Sequence, residues 1–179
     1  MACNPTLADV TFSCDDLGIG GLKSIYLGHK SALTAVTVAS GVVTIAPTGA
    51  GLVTDAAVIQ VKFNLKDGFS VFTDVKTVSA DGITATVPTI AVEVPSMSSS
   101  HRDALNSIAQ AGVELVAFVE TAAGTKHLIG FDFGLYASSV DGTSGTGRSE
   151  KNRYQLTLTG EEGALAYNIA DAEWADVIG

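Results

Sequence analysis

A glycine-rich stretch, Gly142-Thr-Ser-Gly-Thr-Gly147-Arg148-Ser149, has the spacing of a phosphate-binding loop with Arg148 in the place of the lysine. In such a loop the glycines let backbone amides wrap the phosphates, and a helix that starts at once aims its dipole at the anion. Here Ser149 leads through Glu-Lys-Asn-Arg into Tyr154-Gln-Leu-Thr-Leu-Thr159, whose alternation is that of a strand. No helix N-terminus stands behind the glycines, so the stretch reads as a connecting loop. His29, His101 and His127 are scattered, without a Cys or carboxylate partner at metal-ligand spacing. Asp15-Asp16 and Glu161-Glu162 lack the regularly spaced oxygens of a calcium loop and read as solvated turns. Cys3 and Cys14 are too few to hold zinc by themselves and read as free thiols. With no titratable cluster to assemble, the expectation is a non-enzymatic domain that uses no metal and no cofactor.

Arg148, Lys151 and Arg153 form the one basic cluster of an acidic chain. Two readings fit them. They tip a solvated hairpin, or they belong to an arm, residues 138–153, whose charge meets an acidic surface on a neighbouring subunit and orders on assembly. A second arm is expected at the C-terminus, residues 164–179, short and acidic, with Tyr167, Ile169 and Trp174 as its anchors. Trp174 is thus a candidate assembly residue beside the three basic ones.

The elements carrying these residues are mostly strands. Leu33 to Val38 and Val42 to Ile45 flank Ser40-Gly41 as a hairpin, and Val58 to Leu65 alternates with period two. Asp67-Gly68 then supplies a hairpin-type turn into Phe69 to Val75, and Asp81-Gly82 repeats the device before the extended run Ile83 to Val94. Pro88 within that run predicts an edge position. One helix is expected from Ser100 to Gln110, with Ser100 and Asp103 as a capping box and Leu105, Ile108 and Ala109 on one face. Val113 to Glu120 pairs with Lys126 to Phe133 across Thr121-Ala-Ala-Gly-Thr125, followed by Leu135 to Val140 and Tyr154 to Thr159. The fold class is mostly β (α+β): a single domain over 1–179, a sandwich or barrel with one flanking helix, a long Gly/Ser-rich hairpin loop and extended termini.

Composition narrows the function. The chain is 46% hydrophobic and only 16% charged, against about 25% charged in an average soluble domain. So little charge leaves surface for other protein to cover, which predicts oligomerisation. No apolar run approaches the roughly 18 to 20 residues of a spanning helix, so no membrane role is expected. The N-terminus lacks the basic start and apolar stretch of a signal peptide, and the chain is expected to act in a cytoplasm. A net charge of −9 argues against a tight grip on nucleic acid.

Cys14-Asp-Asp-Leu-Gly-Ile-Gly-Gly-Leu-Lys-Ser-Ile-Tyr-Leu27, the block Leu115 to Leu135, the loop Val140 to Arg153 and the closing Tyr154 to Glu161 together resemble tailed-phage virion structural proteins, above all tail tube subunits. The resemblance covers about half the chain in style and order. It implies a β-sandwich or barrel flanked by a helix, ring-forming homo-oligomers, hexamers in that family, and stacking through loops and termini. It also implies other virion proteins as partners, DNA passing through without tight binding, and residence in the virion after assembly in the host cytoplasm. Capsid decoration proteins and head–tail connector proteins share the composition and remain alternatives. A carbohydrate- or receptor-binding sandwich is a further one, disfavoured by one Trp and four Tyr.

Overall fold

Leu115-Val-Ala-Phe-Val119 is buried at every position. A strand's side chains alternate between two faces, so such a run needs protein on both sides. The computed structural model describes residues 20–46, 52, 59–64, 70–78, 84–95, 97–110, 112–145 and 152–178, and supplies both layers. Its strands are β1 (Leu22–His29), β2 (Val36–Ala39), β3 (Val42–Ile45), β4 (Ile59–Asn64), β5 (Val71–Val78) and β6 (Thr84–Pro95). After helix α1 (Ser99–Ile108) come β7 (Leu115–Thr121), β8 (Lys126–Ile129), β9 (Leu135–Thr143), β10 (Arg153–Gly160), β11 (Tyr167–Asn168) and helix α2 (Asp171–Ile178).

One sheet runs β11-β8-β7-β9-β10-β6-β5, with β1 on the other edge of β7 and β4 beyond β1; β2 and β3 form a separate hairpin. The sheet curls so that its halves face each other. Ile25, Leu27, Ala117 and Val119 from one half meet Ile90, Val92, Leu156 and Leu158 from the other, and Leu105 and Ile108 of α1 close the side. A second core lies behind the first half, where Tyr26, Val116, Phe118 and Leu128 meet Val36, Val43 and Ile45 of the hairpin and Trp174 and Val177 of α2. The fold is mostly β, as expected.

At the corner where the halves meet, β7 and β9 share one pair, Leu115↔Leu135. Glycine is required there. A Cβ on Gly130 (φ 82°) would lie 2.8 Å from the Leu115 carbonyl oxygen, and one on Gly160 would lie 2.5 Å from that of Gly134.

Several details depart from expectation. There are two helices among the described residues: the C-terminal stretch is no free arm in 164–178 but β11 and α2, laid against the second core. α1 is capped by Ser98, whose Oγ accepts from the His101 amide at 3.3 Å, not by Ser100, and Ala109 is exposed. β4 and β5 do not pair as a hairpin; β4 joins β1 and β5 joins β6. β6 is interior to the sheet despite Pro88. The Thr86 and Glu162 backbones exchange hydrogen bonds at 3.2 and 2.8 Å, so Thr86, and by alternation Pro88, directs its backbone toward the β10 side. On that side the β6–β10 ladder has ended at Thr89↔Thr159, and a missing N–H costs no ladder bond.

Candidate assembly surface

The strands β9 and β10 and the strands β5 and β6 form two hairpins joined through β10 and β6 into four strands in which every adjacent pair is antiparallel. Alternation sorts their side chains. Thr86, Pro88, Ile90, Val92 and Val94 of β6 and Leu156 and Leu158 of β10 turn inward and are buried. The opposite face carries Val71, Thr73, Val75 and Thr77 of β5 against Ala91, Thr89, Val87 and Ala85 of β6, then Thr157 and Thr159 of β10. Val75 is 54% exposed and Val71 46%. Methyls and hydroxyls dominate this bare face, and its basic group, Arg153, is bound to Glu93, a residue 12% exposed at its side chain.

Both outer edges of the four strands are open among the described residues. β5 pairs only with β6, and β9 meets β7 only at Leu135. An open edge offers unpaired N–H and C=O groups to another chain.

Of the four candidate assembly residues, Arg153 is the first residue of β10, opposite Thr143 of β9 and Pro95 of β6. Arg148 and Lys151 lie outside the described residues, as do Cys3, Cys14, Asp15 and Asp16. Trp174 is not a surface anchor. It is 5% exposed, with its ring edge-on to Tyr26 at 5.8 Å, because a large aromatic on the inner side of α2 gains more from the chain's own core. The arm expected over 138–153 is strand as far as Thr143: Ser139 to Thr143 are paired residues of β9, with Ser138 at a bulge, and residues 146–151 lie outside the described residues.

Comparison with known proteins finds no match among family models, curated proteins or solved structures. The chain's own geometry therefore carries the functional reading.

One titratable cluster escaped the sequence reading. Glu162 is no solvated turn residue: it is buried, and its Oε2 accepts from the Asp132 amide at 3.0 Å while Oε1 has no partner. Burial raises its pKa above the usual carboxylate value, with the neighbouring Asp132 charge adding to the effect. The Tyr167 hydroxyl donates to Asp132 Oδ2 at 3.1 Å, and burial and Asp132 raise the tyrosine's pKa as well. On the far side of the same small cleft, Asp74 Oδ2 accepts from the Ala166 amide at 2.6 Å. His127, half-buried against Phe72, has its pKa lowered by burial. These bonds tie segment 161–167 to the loop after β8 and to β5; they hold the C-terminal layer in place. Among the described residues no three His, Cys, Asp or Glu side chains converge to hold a metal ion. The signal available in sequence was the spacing of Glu162 and Tyr167 around Gly163-Ala-Leu-Ala166, which is too common a pattern to single out.

Proposed function

We propose that the chain is a structural subunit of a tailed-phage virion, a tail tube protein that assembles with its own copies into stacked rings around a DNA channel. The observation that supports this most is the four-stranded sheet with one bare face and two open edges. Because two strands, β10 and β6, lie between them in an antiparallel sheet, β5 and β9 run in opposite directions. β5 of one copy can add to β9 of the next as an antiparallel pair, and the alternation continues across the seam. Such head-to-tail contacts make a ring when the rotation closes.

The remaining layers of the subunit all lie on the other face of that sheet, so a closing ring directs the bare face toward its axis. A channel of methyls and hydroxyls, with Arg153 neutralised by Glu93, offers DNA few phosphate-binding cations. The sequence resemblance to tail tube subunits points the same way. Negative-stain electron microscopy of the purified protein over rising concentration tests the reading. Stacked rings or tubes with a central channel are expected; dispersed monomers at every concentration would overturn it, and small closed oligomers would favour a decoration or connector protein. Deleting residues 146–151, which removes Arg148 and Lys151, is expected to leave the monomer folded but unable to stack. Full-length tubes from that deletion would end the stacking role of the loop.

A further inference from the structure

Antiparallel addition has a consequence for the ends of the two edge strands: the C-terminal end of β5 is carried to the N-terminal end of β9. These two ends are matched in chemistry. At the end of β5 stand Val78, 69% exposed, and Lys76, which is exposed and forms no ion pair among the described residues. At the start of β9 a shallow groove opens between the segment after α1 and the β8–β9 loop, lined by Val113, Glu114, Phe133, Leu135 and Ala137. Phe133 is 65% exposed, and the Glu114 side chain is 65% exposed with Lys30 at 3.6 Å as its cation.

The hydrogen-bonding groups match as well. Since Thr86 directs its backbone toward β10, the alternation across the four strands turns the free amides and carbonyls outward at Phe72, Asp74, Lys76 and Val78 on β5. The same count turns them outward at Ala137, Val140 and Gly142 on β9. These are the positions whose side chains face the inner layer in both strands, so pairing them keeps the two inner faces continuous. β5 is eight residues long and β9 nine, with Leu135 already spoken for by β7 and a bulge near Ser138. The lengths therefore correspond to within one residue.

We infer that the groove beside Glu114 and Phe133 is the receptor for the Lys76–Val78 end of β5 from a second copy of this chain. Val78 covers Phe133 and Val113, removing the most exposed large apolar side chains at both ends from water. Lys76 meets Glu114, which then lies between Lys30 and Lys76, and that contact fixes the register, because a slip by two residues leaves Lys76 without a partner at a protein-covered seam. The inference rests on the ring reading and adds to it the residues that choose the neighbour.

The test is a charge exchange with a covalent check. Lys76→Glu, on an exposed edge, is expected to leave the monomer's urea midpoint unchanged and to raise the concentration needed for ring formation at least tenfold. Glu114→Lys is expected to do the same, and the double exchange Lys76→Glu with Glu114→Lys to restore assembly. In a background with Cys3 and Cys14 replaced by Ser, Val78→Cys with Phe133→Cys is expected to give a ladder of disulfide-linked copies on a non-reducing gel. Rings that form normally in both single exchanges, with no ladder, would overturn the seam while leaving the ring standing. Unaltered protein that never forms rings would overturn the ring reading and the seam with it.

Discussion

The two halves of the sheet are built from similar strands and put to different uses. β7 spends both faces on the chain's own cores, and its sequence is an unbroken apolar run. β5 and β6 bury one face, their outward residues over Val71–Thr77 and Ala85–Ala91 are valines, threonines and alanines, and the outer edge of β5 is open among the described residues. The difference teaches that low charge in this chain is not spread evenly. It is concentrated where the fold is closed by itself, in the first half, and on an exposed sheet face, in the second.

That contrast can be broken most forcefully at Phe118, fully buried in the second core. Phe118→Ala is expected to cost about 3–5 kcal/mol in urea unfolding, since the lost transfer energy and the cavity add. A loss under about 1 kcal/mol would mean that the second core is loose, and the contrast between the halves would fail.

A smaller effect is expected at Glu162, which joins the halves. Its pKa is raised in the fold, so the folded state holds the proton more tightly than the unfolded chain, where glutamate titrates near about 4.3. Its contribution is present below that value and is lost as pH rises through the raised folded one. Glu162→Gln keeps an oxygen for the Asp132 amide and removes the titration. The variant's stability is expected to fall less than that of the unaltered protein across this window, as measured by urea unfolding at a series of pH values. Identical slopes would show that the group does not titrate differently in the fold. His127 acts in the opposite sense, its lowered pKa costing stability as pH falls below the usual histidine range.

The smallest change is expected on the bare face. Val75→Thr, at a position 54% exposed, should alter stability by no more than about 0.5 kcal/mol. A loss of 2 kcal/mol or more would show the face to be covered within the monomer and would remove the proposed channel lining.

Much of this architecture was legible in the sequence because it rests on local signals. The helix, the Val42 to Ile45 strand, the β7–β8 pair and the alternation of Tyr154 to Thr159 follow from periodicity and turn residues within a few positions. What stayed hidden depends on sequence-distant partners. Trp174 reads as the anchor of a tail until Tyr26, far away in the chain, is placed beside it. Glu162 reads as a turn residue until the Asp132 amide and the Thr86 backbone come to it. Pro88 reads as an edge signal because the early end of the β10 ladder is not written near it. Of the candidate surface, Arg153 stands out in sequence by its charge, but the exposed face and the open edges appear only once the strand order is known.

The corner at Gly130, Gly134 and Gly160 bears on how such a chain changes over generations. A side chain at any of the three meets atoms at less than 3 Å, while Thr73, Val75, Thr77 and Ala85 face outward and constrain little within the subunit. Lineages of this protein are therefore expected to drift fast across this exposed face and to stand still at three small residues buried in the corner. Distant descendants would be recognisable by a spacing of glycines rather than by any surface they present.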